Sequence, residues 1–564
     1  MKPIIYQVLP RLFGNTEGRN ISNGTIYDNG SGKFNFFTEK ALEGIKQLGT
    51  THVWYTGVIE HATQTDYSEY GIVKDFPEVV KGKAGSPYAI KDYYDVDPDL
   101  AENVPDRMKE FEALVKRTHE AGMKVIIDFV PNHLARQYVS DAKPEGVADF
   151  GVSDDKSVAF AKDNNFYYLL NTEFHSPVPP LDPERKWVEK PARVTGNDCL
   201  TPSPGIDDWY ETVKLNYGID LFDNRKCHVS PIPDTWYKMR DVLLYWADKD
   251  VDGFRCDMAE MVPLKFWEWV IPQVQELHPE VVFVGEVYNP NLYRPFIKAG
   301  FDWLYDKVGF YDTLRDVMTG KRPASDLSGS LEKIGDIKDN MLFFLENHDE
   351  QRIASEFFAN DAQMGFAGTV LAASVYRNPF MLYFGQETGE KGMDEEGFSG
   401  RDGRTTIFDY WKVASVNDWI NDHKFDGGKL SDEQKELRSA YAKLLSLVKD
   451  DEVINSKGFY DLMWNNRENP RFDVNRQYAC LRFSDTMCYL VVVNFSDEDV
   501  DLRLKIPEHA FEVTNLGTRG YFKGKDLLRG KSKVQFPSDV AINGGLGIKV
   551  CAKNGVIIPL CNRE

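Results

Sequence analysis

The chain has 564 residues, more than one hydrophobic core holds, so roughly two to four domains are expected. Its formal net charge of -21, with no run of Lys and Arg, argues against a phosphate-binding nucleic-acid surface, and no nucleic-acid partner is expected. No stretch approaches the roughly 18 apolar residues of a membrane helix, so no membrane partner is expected. Seven Cys, an odd number with no C-x-x-C pair, argue against a disulfide framework and a structural zinc site, and for reduced, buried thiols. Met1-Lys2-Pro3 leads into an apolar stretch broken by Gln7, Pro10 and Arg11, unlike a signal peptide. A cytoplasmic location is therefore expected, unless a signal segment has been removed.

Strands and helices alternate from the start. Ile4 to Leu9 reads as a strand, Phe36 to Leu48 as a helix and Thr51 to Tyr55 as a second strand. A helix follows from Pro105 to Gly122, where proline opens and glycine ends the periodic run. Val125 to Phe129 is a mostly apolar third strand, of the kind buried on both faces. The residues from Leu134 to about Pro231 are rich in Pro, Asp, Asn and aromatics with weak periodicity, and read as an insertion. The alternation resumes with helix Thr235–Asp248, strand Gly253–Cys256, helix Leu264–Leu277 and strand Val281–Val284. Strands Phe301–Tyr305, Met341–Leu345 and Pro379–Phe384 bring the count to eight.

Eight strand-then-helix units predict an α/β fold, a (β/α)8 TIM barrel, with an open doubly wound sheet as the weaker alternative. The absence of G-x-G-x-x-G after the first strand removes the usual dinucleotide-binding reading. The expected division is a barrel over 1–133 and 232–457, an inserted domain B over 134–231 and a C-terminal antiparallel β-sandwich over 458–564. The last rests on short alternating runs such as MCYLVVVNFSD and VDLRLKI.

Four segments place polar residues at the ends of apolar strands: Asp128-Phe-Val-Pro-Asn-His133, Gly253-Phe-Arg-Cys-Asp-Met258, Val284-Gly-Glu286 and Leu345-Glu-Asn-His-Asp349. In a barrel these ends converge, bringing together Asp257, Glu286 and Asp349. Each alone reads as an ordinary capping or ion-paired carboxylate; three at the ends of strands four, five and seven do not. Glycosidic cleavage requires one protonated and one ionised carboxyl group. Arg255, two residues before Asp257 and on the same face of a strand, favours the ionised form of Asp257. Glu286 has no cation beside it in sequence and is expected to keep its proton. His133 and His348 are suited to sugar hydroxyls; a zinc site lacks the H-x-x-x-H or H-E-x-x-H spacing it needs.

At these segments the chain resembles the α-amylase family, glycoside hydrolase family 13. DFVPNH, GFRCD, VGE and ENHD resemble its four signatures in order, and Lys214-Leu-Asn216 its fifth signature in the form seen in neopullulanase-like members. The resemblance implies a retaining hydrolase of α-1,4-glucosidic bonds in starch-type glucans or maltooligosaccharides, with Asp257 as nucleophile, Glu286 as acid/base and Asp349 as third carboxylate. It also implies that Arg255 orients Asp257, that His133 and His348 contact the sugar, that Asp128 supports them, and that Tyr88 stacks on the ring. The alternatives are an exo-acting α-glucosidase, an α-glucan transglycosylase and, more remotely, a non-catalytic carbohydrate-binding protein.

The chemistry requires no cofactor. The resemblance allows a structural calcium ion through Asn132, but its companion in the fifth signature is the neutral Asn216, and neutral ligands alone hold a hard cation weakly. Glu260 and Met261 stand where typical α-amylases have a Lys-His pair that serves the leaving-group side and calcium, so the Lys contact is absent and substrate choice on that side stays open.

Overall fold

The protein is described by a computed structural model over residues 1–17, 19–514, 516–517 and 519–563. Eight parallel strands close into a barrel: β1 (Ile4–Val8), β2 (His52–Tyr55), β3 (Lys124–Phe129), β4 (Gly253–Cys256), β5 (Val282–Gly285), β6 (Trp303–Tyr305), β7 (Met341–Phe344) and β8 (Phe380–Tyr383). Each strand pairs with its neighbours in sequence, and Ile4 opposite Phe380 closes the ring. Every residue of β1, β2, β4, β7 and β8 is buried, as a strand demands when helices cover it outside and side chains fill it inside. The expected TIM barrel is the one observed.

The helices agree in kind and differ at their ends. The first begins later than expected, as Glu39–Lys46, after a 3₁₀ turn at Phe34–Phe36. The Thr38 side chain accepts from Ala41 N, and this N-cap sets the start that apolar spacing alone missed. The next spans Arg107–Glu120, and Gly122 takes the left-handed backbone (φ +77°) that ends it. Leu264–Leu277 matches the expected range and carries Pro272 inside it.

Between β2 and β3 the chain makes an antiparallel pair, Ile59–His61 with Ile90–Val96, which periodicity did not suggest. Residues 134–231 contain only short two-stranded pairings, among them His133–Ala135 with Thr212–Lys214, where His133 lies opposite Lys214.

From Gly458 onward a six-stranded antiparallel sheet forms, together with a two-stranded ribbon, Val500–Leu504 with Leu546–Val550. The ribbon buries alternate residues, Leu502 and Leu504 against Leu546, Ile548 and Val550. Two short helices, Glu508–Val513 and Ser538–Asn543, interrupt what read as purely β. Helix Ala362–Ser374, after β7, is buried without a break from Met364 to Ser374. All seven cysteines are free; Cys256, Cys480 and Cys488 are buried as expected, whereas Cys227 and Cys561 are exposed and Cys199 and Cys551 partly so. Among the described residues no helix is long and apolar enough to cross a membrane.

Candidate active site

The carboxyl ends of the strands deliver the expected residues to one place. Asp257 and Glu286 directly follow β4 and β5, and each is tied to the neighbouring strand by its backbone N–H, Asp257 to Phe129 O (2.8 Å) and Glu286 to Cys256 O (3.2 Å). A pocket of about 300 Å³ is lined by Tyr88, His133, Asp257, Glu286 and Asp349, with Met258, Tyr288, Trp209, Glu211, Lys81 and Phe408 completing its walls. Arg255, Asp128 and His348 sit immediately behind this lining, all but inaccessible to solvent.

Arg255 organises the floor. Its Nη1 donates to Asp257 Oδ1 at 2.7 Å, and its Nη2 lies 2.8 Å from Glu286 Oε2. One planar fork therefore holds two carboxylates side by side. Trp54, Tyr88 and Tyr305 surround the guanidinium with ring faces. The expectation that Glu286 stands apart from any cation is corrected here. Arg255 is not adjacent to Glu286 in sequence, but Arg255 and Val284 are register partners on β4 and β5, so the fork reaches both strand ends. Glu286 is also held by Met258 N (2.7 Å) and by the Tyr288 hydroxyl (2.5 Å).

A second network fixes the two histidines. Gln7 Nε2 donates to His348 Nδ1 at 2.8 Å, which leaves the proton of a neutral ring on Nε2. That nitrogen is 2.6 Å from Tyr88 Oη and 3.0 Å from Asp349 Oδ2. Asp128 accepts from Trp54 Nε1 (3.1 Å) and Gly57 N (3.2 Å) and reaches Tyr88 Oη and Arg255 Nη1 at 3.4 Å. Its support thus goes to Tyr88 and Arg255, with no direct bond to either histidine. His133 Nε2 faces Asp257 Oδ2 at 4.0 Å, and its ring packs 5.1 Å from that of Trp209.

The electrostatics follow from crowding acids around one base. Burial pushes the Asp257 carboxyl well above the usual carboxylate range; Arg255 pulls it back, and Glu286 pushes it up again. Burial, then Glu286, raises Asp349 to about 7, although 40% of its side chain stays open to the water of the cleft. Burial raises Asp128 to about 6. Arg255 is outnumbered, so Asp257 and Asp349 hold their protons to higher pH than free carboxyl groups and titrate as coupled groups. Burial, then Lys214, lowers His133 to about 3; burial, then Arg255, lowers His348 well below the usual value. Both rings are neutral hydrogen-bonding groups at neutral pH. This arrangement can do acid–base and nucleophilic chemistry on a neutral substrate.

The residues that calcium would use do not fit that ion. Asn132 Oδ1 accepts from the Lys214 ammonium. Asn216 spends its side chain on Ala161 O, Asn164 O and Gly218 N, each at 2.8 Å. Glu260 accepts from Tyr288 N and Asn289 N, and it lines, with Met261, a separate cavity of about 270 Å³ outside the catalytic pocket. Glu260 thus holds the loop that carries Tyr288 into the wall of the catalytic pocket. Among the described residues one cluster, Glu60, Asp92 and Asp141, has carboxylates close enough to share an ion. Asp92, however, already accepts four hydrogen bonds, from Tyr94 N, Ser140 Oγ, Asp141 N and Ala142 N, which fill its acceptor sites.

Sequence reasoning missed Gln7, Trp209 and Tyr288. Tyr288 lies two residues after Glu286, a spacing that could have revealed it; Trp209 sits in an aperiodic segment that gives no such signal.

The family described as "Alpha amylase, catalytic domain" matches residues 7–441. Alpha-amylase 3 of Dictyoglomus thermophilum is 25% identical over 466 residues, 78% of this chain and 74% of that protein. Neopullulanase 2 of Thermoactinomyces vulgaris is 22% identical over 410 residues, 69% of this chain and 57% of that protein. Among solved structures, a maltogenic alpha-amylase from Thermotoga neapolitana covers 99% of this chain and 98% of its own, with a TM-score of 0.61 at 20% identity. An alpha-amylase from Geobacillus thermoleovorans, solved with acarbose, gives 0.62 at 16% identity, over 100% of this chain and 99% of its own. With its barrel closed, its three carboxylates gathered and the family match spanning most of its length, the chain belongs to the α-amylase family of glycoside hydrolases, family 13, and is a glycosidase.

Proposed function

We propose that this glycosidase hydrolyses α-1,4-glucosidic bonds of starch-type glucans or maltooligosaccharides with retention at the anomeric carbon. The observation that carries the reading is the seating of Asp257 and Glu286 on the two prongs of one guanidinium. Carboxylates gathered by one guanidinium suit the direct attack of a retaining enzyme, for which about 5 Å is needed, better than the wider gap of an inverting one. Asp257 attacks C1 from one face, while Glu286 gives its proton to the departing glycosidic oxygen. Glu286 then takes a proton from water, which attacks C1 and releases Asp257. Asp349 and the neutral His133 hold hydroxyls of the bound glucosyl unit, and Tyr88 packs its ring against the sugar's C–H face. His348, expected at the sugar, is instead buried behind the lining and positions Tyr88 and Asp349.

The inserted segment 134–231 forms one wall of the cleft through Trp209, Glu211 and Thr212. The domain limits expected from the sequence are retained as part of this proposal. The relatives named as alpha-amylases and neopullulanase support the substrate class.

The anomeric form of the first product, read by NMR during maltoheptaose hydrolysis, tests the mechanism. An initial α-anomer is expected; an initial β-anomer overturns retention. The chain lengths of the products separate internal cleavage from release of glucose and from transglycosylation.

A further inference from the structure

The loop after β3, the inserted segment and the loop after β4 meet at one buried cation. Lys214 is 4% exposed. Its ammonium donates to Asn132 Oδ1, lies 2.9 Å from Asp198 Oδ1 and reaches Met261 O at 3.4 Å. Two of its N–H donors go to Asn132 and Met261, and its charge pairs with Asp198, so three segments meet at one ammonium. Asp198, the one carboxylate of the set, is also bound through Oδ2 by Arg225. Two cations against one anion leave nothing to attract a divalent ion.

The brace extends to the pocket. Asn132, held by Lys214, donates through Nδ2 to Gly196 O (2.9 Å) and pairs with His133 Nδ1 (3.0 Å). The opposite edge of that ring faces Asp257.

We propose that Lys214 takes the part of a structural divalent cation in this chain, fixing the inserted segment to the barrel and, through Asn132, setting the ring of His133. Lys214 is a positioning residue: it touches neither the pocket's carboxylates nor the expected place of the substrate. The consequence for catalysis rests on the proposed role of His133; the consequence for stability does not.

The test compares the protein in chelator with the protein in millimolar calcium, using melting temperature and maltoheptaose kinetics. Wild type should show the same Tm and the same kcat/KM in both. Lys214→Met should raise KM roughly tenfold with a smaller change in kcat, because the interaction lost serves binding geometry. It should also lower Tm by roughly 5 °C, because Asp198 and Asn132 lose a buried partner. Lys214→Asp should acquire a calcium-dependent rise in Tm that wild type lacks. If Lys214→Met does not fold, Asp198→Asn supplies a milder version with the same KM rise. A chelator-induced loss in wild type that calcium restores, and that persists in Glu60→Gln, overturns the proposal. So does a Lys214→Met protein with wild-type KM and Tm. Should wild type cleave no α-glucan, the Tm comparison still decides the brace while the functional reading fails separately.

Discussion

The floor of the pocket comes from the ends of β3, β4, β5 and β7, and its walls come from loops: Trp209 and Glu211 from the inserted segment, Tyr288 after β5 and Phe408 after β8. Floor residues are held by ladder register and by Arg255, which leaves them little freedom. Wall residues are held by local contacts, such as Glu260 on the backbone of Tyr288 and Asn289, or the Lys81–Glu211 ion pair at 3.3 Å. The floor is built for bond breaking and the walls for choosing what is broken, so substitutions in the two regions should move different kinetic constants.

The largest effect belongs to the floor. Asp257→Asn keeps the shape of the site and removes the attacking oxyanion, so kcat should fall about 10,000-fold. A variant that retains near-normal turnover would remove Asp257 from the mechanism. Tyr288→Phe lies at the boundary between the regions. Losing its hydroxyl removes the donor that fixes Glu286 Oε1, so kcat/KM should fall roughly tenfold. An unchanged kcat/KM would confine Tyr288 to the wall. Trp209→Ala should raise KM about fivefold and alter product lengths while kcat holds, the loss of a ring face against sugar. A fall in kcat of the same size would break the proposed division of labour.

The smallest effect is one of stability. Asp349 has its pKa raised to about 7 in the folded protein, against an ordinary 3.8. The folded state binds the extra proton between those values, so this group's contribution to stability falls as pH rises from about 4 to about 7. Asparagine cannot ionise and escapes that loss. Asp349→Asn should therefore gain more in Tm at pH 8 than at pH 5, by about 1–2 °C, because the half-open side chain is screened by water. An equal gain at both pH values would show that Asp349 is not strained by its neighbours.

Legibility in the sequence divides along the same line. The eight strands were readable because apolar runs of four to six residues ended in polar ones, and the closed barrel then dictated which ends meet. That logic recovered Asp257, Glu286 and Asp349 as a group. It failed for Glu286's cation, because the bond between Arg255 and Glu286 crosses two strands whose register no single strand encodes. It failed too for Gln7, at the end of β1, which looks like an ordinary buried polar residue until His348 is set beside it. Trp209 and Lys214 lie where chain direction is set by many weak contacts, and there spacing carries almost no information. Glu260 and Met261 stand out in the sequence as an unusual pair after β4, but only the structure shows their contacts, Glu260 with the backbone of Tyr288 and Asn289 and Met261 with Lys214.

Helix Ala362–Ser374 carries a consequence for how this enzyme can be taken apart. The C-terminal sheet packs on it so closely that a side chain at Gly555 would collide with Val370, and Lys553 pairs with Asp361 at its start. On another side Tyr441 reaches Thr369, and Lys2 donates to Ala373 O near its end and to Tyr376 O just beyond it. The helix has no face of its own for water. Trimming the chain to its barrel would strip that cover from a largely apolar rod lying behind β7, the strand that leads to Asp349. The C-terminal sheet is thus no detachable appendage but part of what keeps the catalytic barrel in solution, and fusions or minimal versions of this enzyme have to carry it whole.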